Sequence, residues 1–400
     1  MADNQIVILT GPDRIRKRPC VVYHSNDVEG AQHAVQSLLD IFAAEAQLGH
    51  CKHIAVKQWG EELEISGDDR GIYLGQDTAD DRKWKELFCE MFPLPACSPD
   101  ESGYSFGLID YAHHALYGET QTSESIYFPE DLGYMDLYAL QCVCAQMDVH
   151  VNRGGIHSEI RFEHGYNVGG MSSKPTGEQS GTCFRLVLDR EVFTQTVIPE
   201  RFFLKNLRSL AMLCPGLCCT YESTNGQTET FCYSGGISEF IQRLCSDNTI
   251  PVYRNEIKAK GRERYNLAEY EACVDVAVGF TPDAGSITCF HNFRELRNGG
   301  LHLDELQKQI SRAFNSCFHC DTADNGPFGF DEIAKHLTIV LATWCASHAS
   351  VWESGTKQSI RNRMIAEMVH DAAGAEFDNH LHRNIEKYRS LIDRILPDSK

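Results

Sequence analysis

No part of this chain approaches the ~18 consecutive apolar residues that a membrane-spanning helix needs. The opening, Met1-Ala2-Asp3-Asn4-Gln5, has no basic segment followed by an apolar one, so no secretory leader is read there. Both features favour a soluble, cytoplasmic protein and argue against a membrane one. Positive charge is also scarce. The 37 Lys and Arg are outnumbered by 56 Asp and Glu, leaving a formal net charge of −19. Affinity for duplex DNA rests largely on Lys and Arg neutralising phosphates, so the net charge does not support DNA as a partner of the whole surface. A local basic lining around Arg201, Lys205, Arg208, Arg294 and Arg297 is the exception, and solvated surface charge is its plainer reading. Internal repeats and low-complexity tracts are missing too, which excludes solenoids and disordered linkers as the main architecture.

What the chain does have is size, apolar content and cysteine. Its 400 residues suggest two or three domains, and 42% apolar with 23% charged residues is ordinary for a globular protein. The 17 cysteines are scattered through apolar segments, as expected of buried thiols in a cytosolic chain. Cys142-x-Cys144, Cys218-Cys219 and Cys317-x-x-Cys320 beside His319 are the clusters to consider as ligands. No second C-x-x-C or H-x-x-x-H stands at zinc-site spacing from the last of these, so buried thiols are the expectation and no metal is expected.

Helical spacing of Ala31, Val35, Leu38, Leu39, Phe42, Ala43 and Ala46 predicts a helix from about 28 to 48, stopped at Gly49. Residues 53–59 alternate as a strand, and 62–66 complete a hairpin before the turn Gly67-Asp68-Asp69-Arg70-Gly71. Residues 76–134 are polar and irregular, the pattern of a lid or an insertion, with short helical pieces at 84–92 and 108–116. A helix is read at 138–146, then strands at 149–153, 158–163 and 181–188. A second unit is read from about residue 196. It holds a helix at 203–214, a hairpin centred on Asn225-Gly226, a helix at 237–245, strands at 272–280 and 286–292, a long helix at 303–317, a strand at 337–343 and a helical tail broken near Gly374.

Several motifs occur together and in order. Arg16-Lys17-Arg18-Pro19 is followed by Gly30-Ala31-Gln32-His33, Leu39-Asp40, Glu45 and Gly49-His50-Cys51. Later come Val151-Asn152-Arg153-Gly154-Gly155, Ser180-Gly181-Thr182, Tyr233-Ser234-Gly235-Gly236, Asn298-Gly299-Gly300-x-His302 and Gly355-Thr356-Lys357. The set resembles the N-terminal region of the DNA gyrase B and topoisomerase IV B subunits. That resemblance implies an α/β (α+β) fold: a GHKL-type (Bergerat) sandwich over residues 1–195, then a ribosomal-protein-S5-like transducer domain over 196–400 with a long C-terminal helix. The family's metal-binding Toprim domain would lie beyond Lys400, so this chain is not expected to cleave or pass DNA by itself.

In the family the long helix reads E-x-x-D-N. Here the matching positions are Ser37-Leu38-Leu39-Asp40-Ile41. Ser37 stands where Glu activates the attacking water, and a neutral hydroxyl is no general base at neutral pH. Ile41 stands where Asn binds Mg²⁺, and a hydrocarbon offers no ligand to a hard cation. The resemblance implies that His33, Asp40, Asp68, Arg70, Gly71, Thr182 and Lys357 form what remains of a nucleotide site. The Asp that reads adenine falls on Gly67 without a gap and on Asp68 with a one-residue deletion. The phosphate loop aligns either with residues 131–136 or with 103–109, and neither keeps all its glycines. No catalytic residue is intact, so the expectation is a pseudo-ATPase with neither ATP nor Mg²⁺ as a working cofactor. A homodimer or a complex with a topoisomerase subunit is the expected assembly. An ATP-hydrolysing module with Asp40 or Glu45 as substitute base, and a clamp that binds nucleotide without hydrolysis, are the alternatives.

Overall fold

Apolar residues at every second position in the first half of the chain build one broad sheet, and a helical stripe of apolar residues covers it. The structure is a computed structural model, and it describes residues 9, 11–75, 82–90, 134–245, 253–262, 270–280, 285–317, 329–345, 349–353 and 358–386. The described residues through Cys232 form one compact unit, and those from Tyr233 onward form another.

The first unit contains strands β1 (His53–Trp59), β2 (Glu62–Gly67), β3 (Cys144–Arg153), β4 (Ile156–Glu163), β5 (Tyr166–Pro175), β6 (Gly181–Leu188), β7 (Cys218–Glu222) and β8 (Thr228–Cys232). They form an eight-stranded sheet in the order β5-β4-β3-β6-β2-β1-β7-β8. Only the β1–β7 pairing is parallel. The register lines up Ile160, Val149, Phe184, Ile65, Val56 and Tyr221 in one row across six strands, and all six are buried. Helix Val28–Gln47 lies against that face, with Phe42 packed on Phe184. The Asp27 side chain caps its start by accepting the Glu29 N–H, while Ala31, Val35, Leu38, Leu39 and Phe42 are fully buried beneath it. Burial of each such large apolar side chain contributes ~1.5–3 kcal/mol. Gly67 lets the helix approach closely, since a Cβ there would sit 2.5 Å from the Phe42 ring. Helix Glu200–Leu213 covers β7, stacking Phe203 on Tyr221.

The other face of the sheet is polar. Glu64 accepts from Lys57 at 2.8 Å and from Arg185 at 2.7 Å, forming an ion-pair ladder across β1, β2 and β6.

In the second unit, β9 (Tyr253–Gly261), β10 (Tyr270–Phe280), β11 (Ser286–His291), β12 (Arg294–Glu295) and β13 (Leu337–Cys345) form a five-stranded sheet ordered β12-β11-β13-β10-β9. All nine residues of the central β13 are buried. Helix Leu301–Cys317 buries Leu306, Ile310, Ala313, Phe314 and Cys317, and Phe314 meets Phe377 of helix Gly374–Arg383. Helix Gly236–Leu244 starts with the Gly235 N–H and the Ser234 hydroxyl both donating to the Glu239 carboxylate. Among the described residues no helix is long and apolar enough to cross a membrane.

Several expectations need correcting. The boundary read after residue 195 lies after Cys232, because β7 pairs in parallel with β1 and carries its hairpin partner β8 with it. The helix read at 138–146 is Tyr134–Cys142, and β3 already begins at Cys144, where a bulge precedes the regular ladder. Strand β5 has no counterpart in the sequence reading; most of its residues are exposed, so it has little apolar alternation to detect. The break near Gly374 is a π-helical turn, Val369–Ala373, running into the last helix. Cys218 and Cys232, opposite each other across β7 and β8, are joined as a disulfide rather than left as thiols. The expected lid over 76–134, including both phosphate-loop alignments, falls almost wholly outside the described residues.

Candidate functional site

The end of β2, the turn after it, the start of β6 and the facing helix Val28–Gln47 bring three of the residues singled out by motif, Arg70, Gly71 and Thr182, into one neighbourhood. Beyond Ile65 and Gly67, the alternation carries Asp69 to the inner face. Asp69 is 1% exposed, and its Oδ2 accepts the Thr182 hydroxyl at 2.9 Å. The Thr182 oxygen in turn accepts the Ile72 N–H at 3.1 Å. Gly71 turns the chain between them with φ +77°, and a Cβ there would lie 2.5 Å from the Asn152 carbonyl oxygen. The Gly71 carbonyl accepts Arg153 Nη1 at 2.7 Å, and the same guanidinium lies over the Tyr73 ring. This buried network is the floor of the site.

Arg70 points toward the helix. Its Nε and Nη2 donate to the two oxygens of Glu45, at 2.9 and 2.7 Å. Glu45 is fully buried, and a bidentate guanidinium–carboxylate pair of this kind resists separation.

Asp68 is placed elsewhere. It is exposed at the strand end and accepts the backbone N–H groups of Lys52 and His53 at 2.6 and 2.8 Å and the His53 ring at 2.8 Å. Partial burial pushes its carboxyl upward. The hydrogen bonds from the His53 ring and from the His53 and Lys52 amides outweigh that, leaving it below the usual carboxylate range. The carboxylate that meets Thr182 is therefore Asp69, where the sequence alignments offer Gly67 or Asp68. Counting by two from Ile65 reaches it.

On the helix, Ser37 Oγ donates back to the Ala34 carbonyl at 2.9 Å. Asp40 accepts Gln36 Nε2 at 2.8 Å, one turn back along the same helix. Ile41 is 1% exposed, within the core. His33 stacks on His24 at 5.1 Å and meets the edge of Tyr23. Lys357 lies outside the described residues.

These contacts bear directly on a nucleotide and its metal. Mg²⁺ does not fit the residues described here: the position of its ligand is a buried hydrocarbon, and the nearby Glu45 carboxylate is held by Arg70. The floor is different in kind. Asp69, Thr182 and the Ile72 amide form a hydrogen-bonding set of the type that reads the edge of a base.

The helix-covered sheet and the second α/β unit match the GHKL-type α/β fold that the motifs imply. Comparison with known proteins points the same way. The DNA gyrase B family model matches residues 236–400. The DNA gyrase B subunit of Thermotoga maritima is 23% identical over 396 residues, which are 98% of this chain and 58% of that protein. The DNA topoisomerase 4 B subunit of Enterococcus faecalis is also 23% identical, over 98% of this chain and 54% of its own length. Among solved structures, the 43K ATPase domain of Thermus thermophilus gyrase B, in complex with an aminocoumarin, superposes with a TM-score of 0.68 at 19% identity, covering 97% of this chain and 94% of that one. The B-subunit of the Myxococcus xanthus gyrase gives 0.71 at 16% identity, over 95% of this chain and 99% of that one. The chain is thus gyrase-B-like, similar to the N-terminal region of these proteins, and it spans little more than half the length of the curated relatives it matches.

Proposed function

We propose that this chain is a gyrase-B-like ATPase–transducer module that has lost ATP hydrolysis. It would act in the cytoplasm as a structural or regulatory partner in DNA topology, pairing with a second copy or with a topoisomerase subunit. One observation carries the reading: among the described residues, Ser37, Asp40 and Glu45 at and near the hydrolytic positions are engaged with protein partners, and the metal-ligand position is hydrocarbon. Ser37 bonds to its own helix, Glu45 to Arg70 and Asp40 to Gln36, while Ile41 is core. Phosphoryl transfer depends on positioning and electrostatic stabilisation, and little of either is on offer.

The test is steady-state ATP turnover by the purified chain, beside the double variant Ser37→Glu, Ile41→Asn. Turnover at background is expected for the wild type. Turnover that disappears in Asp40→Asn would instead establish a rebuilt pocket. Sedimentation, alone and with gyrase or topoisomerase IV subunits, checks the partnership; a chain that stays monomeric in every mixture refutes it.

The intact floor favours a second reading, a clamp that binds nucleotide without hydrolysing it. Calorimetry with ATP and a non-hydrolysable analogue, with and without Mg²⁺, separates the two. Micromolar binding independent of Mg²⁺ supports the clamp, and silence at millimolar nucleotide supports a purely structural role.

A further inference from the structure

The polar face of the first unit's sheet, opposite the helix-covered one, holds a second constellation. A concave cavity of about 540 Å³ opens there, lined by His150, Asn152, His157, Cys183 and Arg185 among others. The β3–β4 register sets His150 opposite Glu159 and Asn152 opposite His157, so these side chains share one patch. One ligand-type atom each from His150, His157 and Glu159 lies within 4.8 Å of the other two.

The hydrogen bonds around His157 are directional. Asn152 Nδ2 donates to Glu178 at 3.0 Å, which turns the Asn152 carbonyl oxygen toward His157. His157 Nδ1 then donates to that oxygen at 2.6 Å. Its Nε2 is left facing another acceptor, Glu159 Oε1, at 2.7 Å. A lone pair against a carboxylate is repulsive, so a cation that bridges the two atoms, with the pair opened slightly to admit it, would be stabilised there. The chain Glu178–Asn152–His157 is the outer-sphere support that metal-bound histidines characteristically have, fixing the tautomer with the ligating nitrogen free. The second imidazole is suited to the same task. His150 Nδ1 lies 3.9 Å from the same Glu159 Oε1 that His157 faces. Cys183, opposite His150 on β6, is pushed up to about 11 by burial and stays a protonated thiol at neutral pH.

We propose that His150, His157 and Glu159 form a binding site for a first-row dication of the zinc type, with a fourth position open to water in the cavity. Two imidazoles, one carboxylate and an open position are a donor set that zinc accepts. Lys174, 3.4 Å from Glu159 and largely exposed, is the cation the metal would displace. Arg185 and Asp148 are the other charged groups facing His150.

The experiment is titration of the untagged full chain with Zn²⁺ by calorimetry, and with Co²⁺ by visible absorption. Expected are one strong site of micromolar or tighter Kd and tetrahedral Co²⁺ bands with no thiolate charge-transfer band. His157→Ala and Glu159→Gln should each weaken binding at least tenfold. His164→Ala, at the separate His164–Asp189–Glu191 cluster, should leave it unchanged. Circular dichroism of each variant separates a lost site from a lost fold. Binding that persists in folded His157→Ala, or no binding below millimolar metal, overturns the proposal and leaves His157 simply hydrogen-bonded between Asn152 and Glu159.

Discussion

On the floor of the candidate pocket, Asp69, Arg70 and Thr182 each hold a partner from a different element. On the facing helix, Ser37 and Asp40 bond back to Ala34 and Gln36 of their own helix. The floor joins β2, β6 and the helix, so its polar groups are part of what holds the sheet and helix together. The hydrolytic positions carry no such burden. Replacing a base by Ser, or a metal ligand by Ile, leaves no buried group unsatisfied and even extends the core through Ile41. A chain can therefore keep the floor for stability whatever residues the facing helix carries at these positions.

Three substitutions bear on that contrast. The largest effect is expected for Glu45→Ala, which takes from Arg70 its bidentate carboxylate. Breaking a buried pair typically costs ~3–5 kcal/mol, and the partial exposure of Arg70 places this case near the lower end. Urea unfolding followed by circular dichroism measures it, and a loss below about 1 kcal/mol would mean the floor is not structural. Next is Thr182→Val, which keeps the shape and removes both the donor to Asp69 and the acceptor for Ile72. A loss of ~1–3 kcal/mol is expected from the same unfolding curves. If nucleotide binds, this variant should also weaken it, sharpening the distinction between clamp and scaffold. The smallest effect is Ser37→Ala, expected to stay within ~0.5 kcal/mol of wild type. A larger loss there would put Ser37 among the structural residues and erase the contrast.

Much of this is legible in the sequence. Helix Val28–Gln47, the hairpin β1–β2, the turn at Asn225-Gly226 and helix Leu301–Cys317 lie within a few residues of where the pattern puts them, because periodicity and turn residues are local signals. Motif singles out Arg70, Gly71 and Thr182, and they do converge. Glu45 reads as a helix carboxylate or a substitute base, since nothing local to it reveals a partner 25 positions away.

The sequence by itself determined the period of each element, the apolar stripe that the long helix buries, and that a hydroxyl and a hydrocarbon, Ser37 and Ile41, stand on that helix. These are properties of side chains and of neighbours along the chain. Tertiary structure alone decided that Asp69 rather than Asp68 meets Thr182, and that the hairpin β7–β8 belongs to the first unit. It alone also placed His150, His157 and Glu159 in one patch. Each of these depends on which strand pairs with which, and in what register. Pairing is set by the summed burial of a whole face, so a one-residue slip, invisible in local pattern, would send every one of these side chains to the opposite side of the sheet.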